Sequence, residues 1–125
     1  MRLAVIQGEF GAARLDANEA TPAWATQGLI SSVTRTDEEL SVVCDAGAIP
    51  PGVKAERGWR CLRVMGRLEF SLTGILASIV GPLAAAKVSI FAISTYDTDY
   101  VLVPGEAMGR AIESLRAAGH EVLGA

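Results

Sequence analysis

The side chains best suited to bind something polar fall in two short runs of the second half. The first is Ser71-Leu72-Thr73-Gly74-Ile75. It opens a stretch with apolar residues at 72, 75, 76, 79, 80, 83 and 84, the three-and-four spacing of an amphipathic helix. A helix that starts there leaves its first backbone N–H groups without intrahelical partners. Those groups and the helix dipole favour an anion such as a carboxylate. Gly74 lets a ligand approach the backbone closely, and Ser71 or Thr73 can donate a hydroxyl. The same residues serve equally well as an ordinary helix cap. The second run is Ser94-Thr95-Tyr96-Asp97-Thr98-Asp99. Asp97 is one of two candidate carboxylates for a ligand ammonium, and reads more simply as a turn residue that bonds its own backbone. Asp99 opens the following strand and is either a solvated edge charge or a partner for a cation. Tyr96 offers an apolar wall with a polar tip, or is a plain hairpin aromatic.

The elements that position these runs follow from periodicity. Residues 59–64 intersperse large apolar residues with arginines, a half-buried strand. Residues 66–71 form its exit loop, and the helix runs from Leu72 to Lys87, with Pro82 expected to kink it or split it. Residues 88–94 are β-branched and aromatic, a strand. The turn at 96–98 leads to a returning strand at 99–103, which Pro104-Gly105 stops. Ala107, Met108, Ala111, Ile112 and Leu115 mark a second amphipathic helix, Gly119 caps it, and Val122 and Leu123 supply a last strand. The order is βαββαβ, a split βαβ of the ferredoxin-like α+β class. The first half repeats it in reduced form: a strand at 3–6, at most a short helix in 22–27, a hairpin of 29–36 with 40–44, and Pro50-Pro51-Gly52 in place of a second helix. A shared order of elements points to internal duplication. Each half is marginal alone at about 60 residues.

Composition narrows the function classes. The net charge of −3 and 6% aromatic content argue against a nucleic-acid surface. The strands expected at the sheet centre carry Val, Ile, Leu and Cys rather than stacking aromatics. Cys44 and Cys61 lie inside apolar runs and read as reduced, buried thiols. The only histidine is His120, and the only asparagine is Asn18. No nucleophile–base pair, phosphate loop or metal-ligand cluster stands out, so no enzyme, cofactor or metal is expected. Phosphatases on this scaffold need an arginine cradle and an asparagine to orient water. Arg60, Arg63 and Arg67 read instead as a solvated strand face. The apolar start at 1–6 is too short for a secretion signal core. The run 74–86 is too short to cross a bilayer. A cytoplasmic protein is expected, with no membrane partner.

The stretches 66–76 and 89–103 resemble the small bacterial ACT-domain proteins that are related to the cytosolic arginine sensors of animals and to the regulatory domains of aspartate kinases. Trp24, Gly28, Ser31-Ser32-Val33-Thr34, Glu39-Leu40-Ser41-Val42-Val43-Cys44 and Gly58-Trp59-Arg60 stand in the order of the same family, so the likeness covers nearly the whole chain. It implies a tandem ACT-like repeat with a reduced first copy over 1–59 and an ACT domain over 60–125. It also implies a regulatory module that binds an amino acid or similar ligand where the loop before the first helix meets a neighbouring domain or subunit. Leu72, Thr73, Gly74, Ile75, Ser94, Thr95, Tyr96 and Asp99 are then the expected ligand-binding residues, with Asp99 placed by the likeness as a ligand-contacting acid for an ammonium. An arginine ligand would want a second carboxylate for its guanidinium. Only Glu69 lies near the helix start, so a smaller or apolar amino acid fits as well. A homo-oligomer, a dimer by expectation, suits this reading. It suits equally an assembly module of the same fold that binds nothing.

Overall fold

The computed structural model describes residues 1–66 and 74–124. The chain is a mixed α+β fold of seven strands and two α-helices among these residues: β1 (Arg2–Leu15), β2 (Ser32–Arg35), β3 (Leu40–Asp45), β4 (Ala55–Val64), α1 (Ile75–Ala85), β5 (Phe91–Ser94), β6 (Asp99–Pro104), α2 (Met108–Ala117) and β7 (Glu121–Leu123). None of the described helices is long and apolar enough to cross a membrane. The chain forms two compact units. One combines Met1–Ile6 with Arg60–Ala125, and the other is Gln7–Trp59.

In the larger unit, β4 is followed by α1, β5, β6, α2 and β7, the order that periodicity predicts. β5 and β6 form an antiparallel hairpin in the register Phe91↔Leu102 to Ser94↔Asp99. The strands run β7–β1–β4–β6–β5, so the first residues of the chain lie between β7 and β4. Arg2–Ala4 pair in parallel with Glu121–Leu123, and the Met65 N–H donates to the Arg2 carbonyl at 2.8 Å. A split βαβ built from 60–125 alone would set β7 beside β4. Here β1 takes that place because Leu3, with no exposed surface, enters the same core as Leu62, Val64, Ile79, Leu83, Val101, Val103, Ala111, Leu115 and Val122. β4 and β6 also bury the opposite face, where Cys61 and Leu102 are fully enclosed.

α1 starts at Ile75 and runs unbroken through Pro82 to Ala85; the expected start at Leu72 and Thr73 lies outside the described residues. Its C-terminus closes with Lys87 in the left-handed region at φ 59 and a Val88 N–H to Leu83 carbonyl bond of 2.9 Å, a Schellman motif. α2 ends the same way, with Gly119 at φ 96 and His120 N–H on the Leu115 carbonyl at 3.0 Å. Arg110 of α2 donates to the Ala86 and Lys87 carbonyls beyond α1.

In the smaller unit the strands run β2–β3–β1–β4. β3 pairs antiparallel with β1 from Phe10↔Asp45 to Leu15↔Leu40, and with β2 from Ser32↔Val43 to Arg35↔Leu40. The hairpin turn is held by Thr36, whose Oγ1 accepts from the N–H groups of Glu38 and Glu39. Its core gathers Ala13, Ala25, Leu40, Val42, Cys44 and Ile49, with Trp24 against them. The short helix expected in 22–27 is a single 3₁₀ turn, Ala23–Thr26. β1 continues well past Ile6, although Gln7-Gly8-Glu9 reads as a break. Phe10 and Ala13 are buried and supply the packing that local propensity lacks.

Candidate functional site

The β5–β6 turn is fixed by its own threonines. Thr95 N–H donates to the Thr98 carbonyl at 2.8 Å, and Thr98 N–H donates back to Thr95 Oγ1 at 3.3 Å. Thr98 is buried, and its Oγ1 donates to the Val64 carbonyl at 2.8 Å. That bond ties the turn to the C-terminal end of β4, where the chain passes Met65 and Gly66 on its way to α1. Between them lies a cleft of about 400 Å³ lined by Arg63, Gly66, Thr95, Asp97, Thr98 and Tyr100. It offers a guanidinium, a carboxylate and the hydroxyls of Thr95 and Tyr100. Such a pair matches a zwitterion, with a cation for its carboxylate and an anion for its ammonium.

Of the expected site residues, Thr95 lines the cleft. Ser94 and Asp99 are cross-strand partners, and the Ser94 hydroxyl donates to Asp99 Oδ1 at 2.6 Å. This bond orients the Asp99 carboxylate at the mouth of the hairpin. Neither residue is among the cleft lining. Tyr96 projects from the turn with 72% of its surface exposed. Gly74 stands immediately before α1 at φ 77, and its carbonyl accepts from Ser78 N–H at 2.9 Å. Among the described residues a Cβ there would meet nothing within 4 Å. Ile75 is the first residue of α1 and is half-buried. Leu72 and Thr73 lie outside the described residues.

Arg63, Gly66, Thr98 and Tyr100 line the cleft without having been singled out as ligand residues from sequence, and Asp97, the second candidate carboxylate of the turn, lines it although its sequence reads more simply as a turn residue. Arg63 is one of the arginines interspersed with apolar residues along the strand, which look like any solvated face until the strand's neighbours are known. The Thr95-x-x-Thr98 spacing was the available signal, because two threonines three apart can lock a turn side chain to backbone.

A second cleft, of about 340 Å³, lies in the smaller unit and is lined by Gln7, Gly8, Glu9, Phe10, Gly28, Leu29 and Asp45. It has two carboxylates and no cation, so it does not suit a ligand carboxylate. Among the described residues, no three His, Cys, Asp or Glu side chains group as metal ligands. Both thiols are free and buried. Burial pushes Cys61 up to about 12; burial and then the adjacent Asp45 raise Cys44. Neither is a thiolate at neutral pH, which is the form a cysteine nucleophile needs.

The family model described as ACT domain matches residues 54–117, just over half of the chain. A second model, of an N-terminal domain, matches residues 8–52. The human cytosolic arginine sensor for mTORC1 subunit 1 is 48% identical over 59 residues, which span 46% of this chain and 18% of that protein. The chain thus aligns with under a fifth of the length of that curated relative. The crystal structure of a protein from Agobacterium tumefaciens is 42% identical, covers 98% of this chain and 91% of its own, and superposes with a TM-score of 0.93. The regulatory subunit of aspartate kinase from Thermus flavus superposes with a TM-score of 0.65 over 93% of this chain and 95% of its own, at 12% identity, a likeness of fold.

Proposed function

The chain belongs to the ACT domain family, and from that premise we propose that it is a non-catalytic regulatory module which senses an amino acid or similar small molecule. The observation that carries this reading is the cleft at the end of β4, with Arg63 and Asp97 in one lining and Thr95 and Tyr100 hydroxyls beside them. Arg63 takes the ligand carboxylate and Asp97 its ammonium. Asp99, oriented by Ser94, and the α1 start at Gly74 and Ile75 complete the surroundings at an ACT–ACT interface with a second copy of the chain. Relatives whose names describe an arginine sensor and a kinase regulatory subunit support a sensing role. The arrangement is a tandem ACT-like, ferredoxin-like pair, with 1–59 as the reduced copy and 60–125 as the ACT domain. The protein works in the cytoplasm as a homodimer, without nucleic acid. Binding acts through a difference in affinity between two arrangements of the dimer.

A thermal-shift screen of the twenty amino acids tests this. A ligand at about 100 times its dissociation constant stabilises by roughly 2.7 kcal/mol, several degrees for a chain of this size. Arg63→Gln and Asp97→Asn are expected to abolish the shift while leaving the unliganded melting temperature within a degree or two. No shift from any amino acid at millimolar concentration would transfer the case to the second reading, an assembly module of the same fold that binds nothing. That reading has its own support in β5, a four-residue strand that stands last in the order of the described strands.

A further inference from the structure

Pro82 lies inside α1 and has no N–H, so the Ser78 carbonyl one turn earlier loses its helical donor. A donor comes from elsewhere in the larger unit. His120, in the turn between α2 and β7, places Nε2 2.9 Å from that carbonyl. A carbonyl only accepts, so Nε2 carries the proton and the neutral ring is the Nε2–H tautomer. Its other nitrogen, Nδ1, is buried with no hydrogen-bond partner among the described residues. Nδ1 is then a bare acceptor on a neutral ring, and an unpaired donor on a charged ring costs more when buried.

We propose that His120 is an acid-sensitive latch that substitutes for the amide Pro82 lacks. When the ring takes up a proton, the new N–H sits on Nδ1, buried with nothing to receive it. The ring then turns toward water and the Ser78 bond is lost. The surrounding charges do not offset this. α1 has no charged side chain. On α2, Arg110 donates to the Ala86 and Lys87 carbonyls and Arg116 to the Val122 carbonyl. Glu113 and Lys87 are exposed. On β7, Glu121 pairs with Arg2 at 3.0 Å. No carboxylate among the described residues is bonded to the imidazole, and two guanidinium groups lie on the elements that flank it. Opening the latch loosens the second half of α1 and the β7 end together.

His120 is the only histidine, so its ring nitrogens can be followed by NMR without ambiguity. The expected result is an Nε2–H tautomer at about pH 8, with amide protection at residues 83–87 falling about tenfold or more once added acid has protonated the ring. His120→Gln keeps a side-chain N–H donor and cannot titrate; it should retain the protection and lose its pH dependence. Pro82→Ala restores the missing amide and should make the protection independent of pH as well. In that background His120→Ala should cost less stability than in the native chain, a coupling that a double-mutant cycle reads directly. An Nδ1–H tautomer at pH 8, or an unchanged pH profile in His120→Gln or Pro82→Ala, would overturn the latch.

Discussion

Gly28 shows how one residue constrains a whole corner of the smaller unit. Its φ is +114, and a Cβ added there would lie 3.0 Å from the Asp45 backbone nitrogen. That nitrogen's N–H donates to the Gln27 carbonyl at 2.9 Å. Gly28→Ala therefore combines a strained backbone with a clash against a hydrogen-bonded amide. It should cost about 2 kcal/mol, seen as a lower urea midpoint with an unchanged slope. Cys61 makes a different point. Its thiol is pushed up to about 12 by burial, so the folded state holds a proton that the unfolded chain releases nearer the usual thiol range. That contribution is fully present below about pH 9 and is lost as pH rises toward about 12. Alkaline titration of stability should show a steeper fall for the native chain than for Cys61→Ala, and a thiol reagent at pH 8 should label Cys61 only after unfolding. Of the candidate site, Thr95 and the turn around it are legible in the sequence because the threonines act on their own neighbours. The part of Arg63 and Tyr100 is not, since alternation gives a side chain its face but not what lies across from it.

At the scale of elements, α1 and α2 differ in what holds them. α2 carries a clear apolar stripe, Met108, Ala111 and Leu115, and its glycine cap is legible in the sequence because both depend on spacing within one helix. α1 has apolar and small residues on all sides, an internal proline and a lysine, not a glycine, in its left-handed closing position. Lys87→Gly removes a Cβ penalty of about 1–2 kcal/mol against a smaller entropic loss. It should raise the melting temperature by roughly 2–4 °C, with Arg110 still bonded to the residue-87 carbonyl through the backbone. The helix is not split at Pro82, and a nitrogen of the distant His120 reaches the orphaned carbonyl. No local rule could have supplied it. β5 is likewise shorter than its β-branched run, with strand pairing confined to four residues.

At the scale of the molecule, the larger unit is not a continuous piece of chain. Leu3 sits fully buried in the core that 60–125 builds, and residues 2–4 pair with β7. A fragment of residues 60–125 should therefore show little cooperative unfolding by circular dichroism. Adding a peptide of residues 1–6 in trans, or fusing it through a flexible linker, should restore a sigmoidal transition. Within the full chain, Leu3→Ala should cost about 2–5 kcal/mol, the range for an emptied core site. A fragment 60–125 that melts as sharply as the full chain would show that β1 is dispensable to that core.

The sequence by itself determined the order of elements, the class of fold, the glycine cap of α2 and the polar character of the β5–β6 turn. All of these depend on periodicity and on contacts a few residues apart. Tertiary structure decided where β1 pairs, how α1 survives its proline, and which charges share the cleft with Thr95. Each of those rests on atoms brought together from far along the chain: Arg2 with Glu121, Ser78 with His120, Val64 with Thr98. Residue types state what such groups can donate or accept. Only packing selects which of the possible partners they meet.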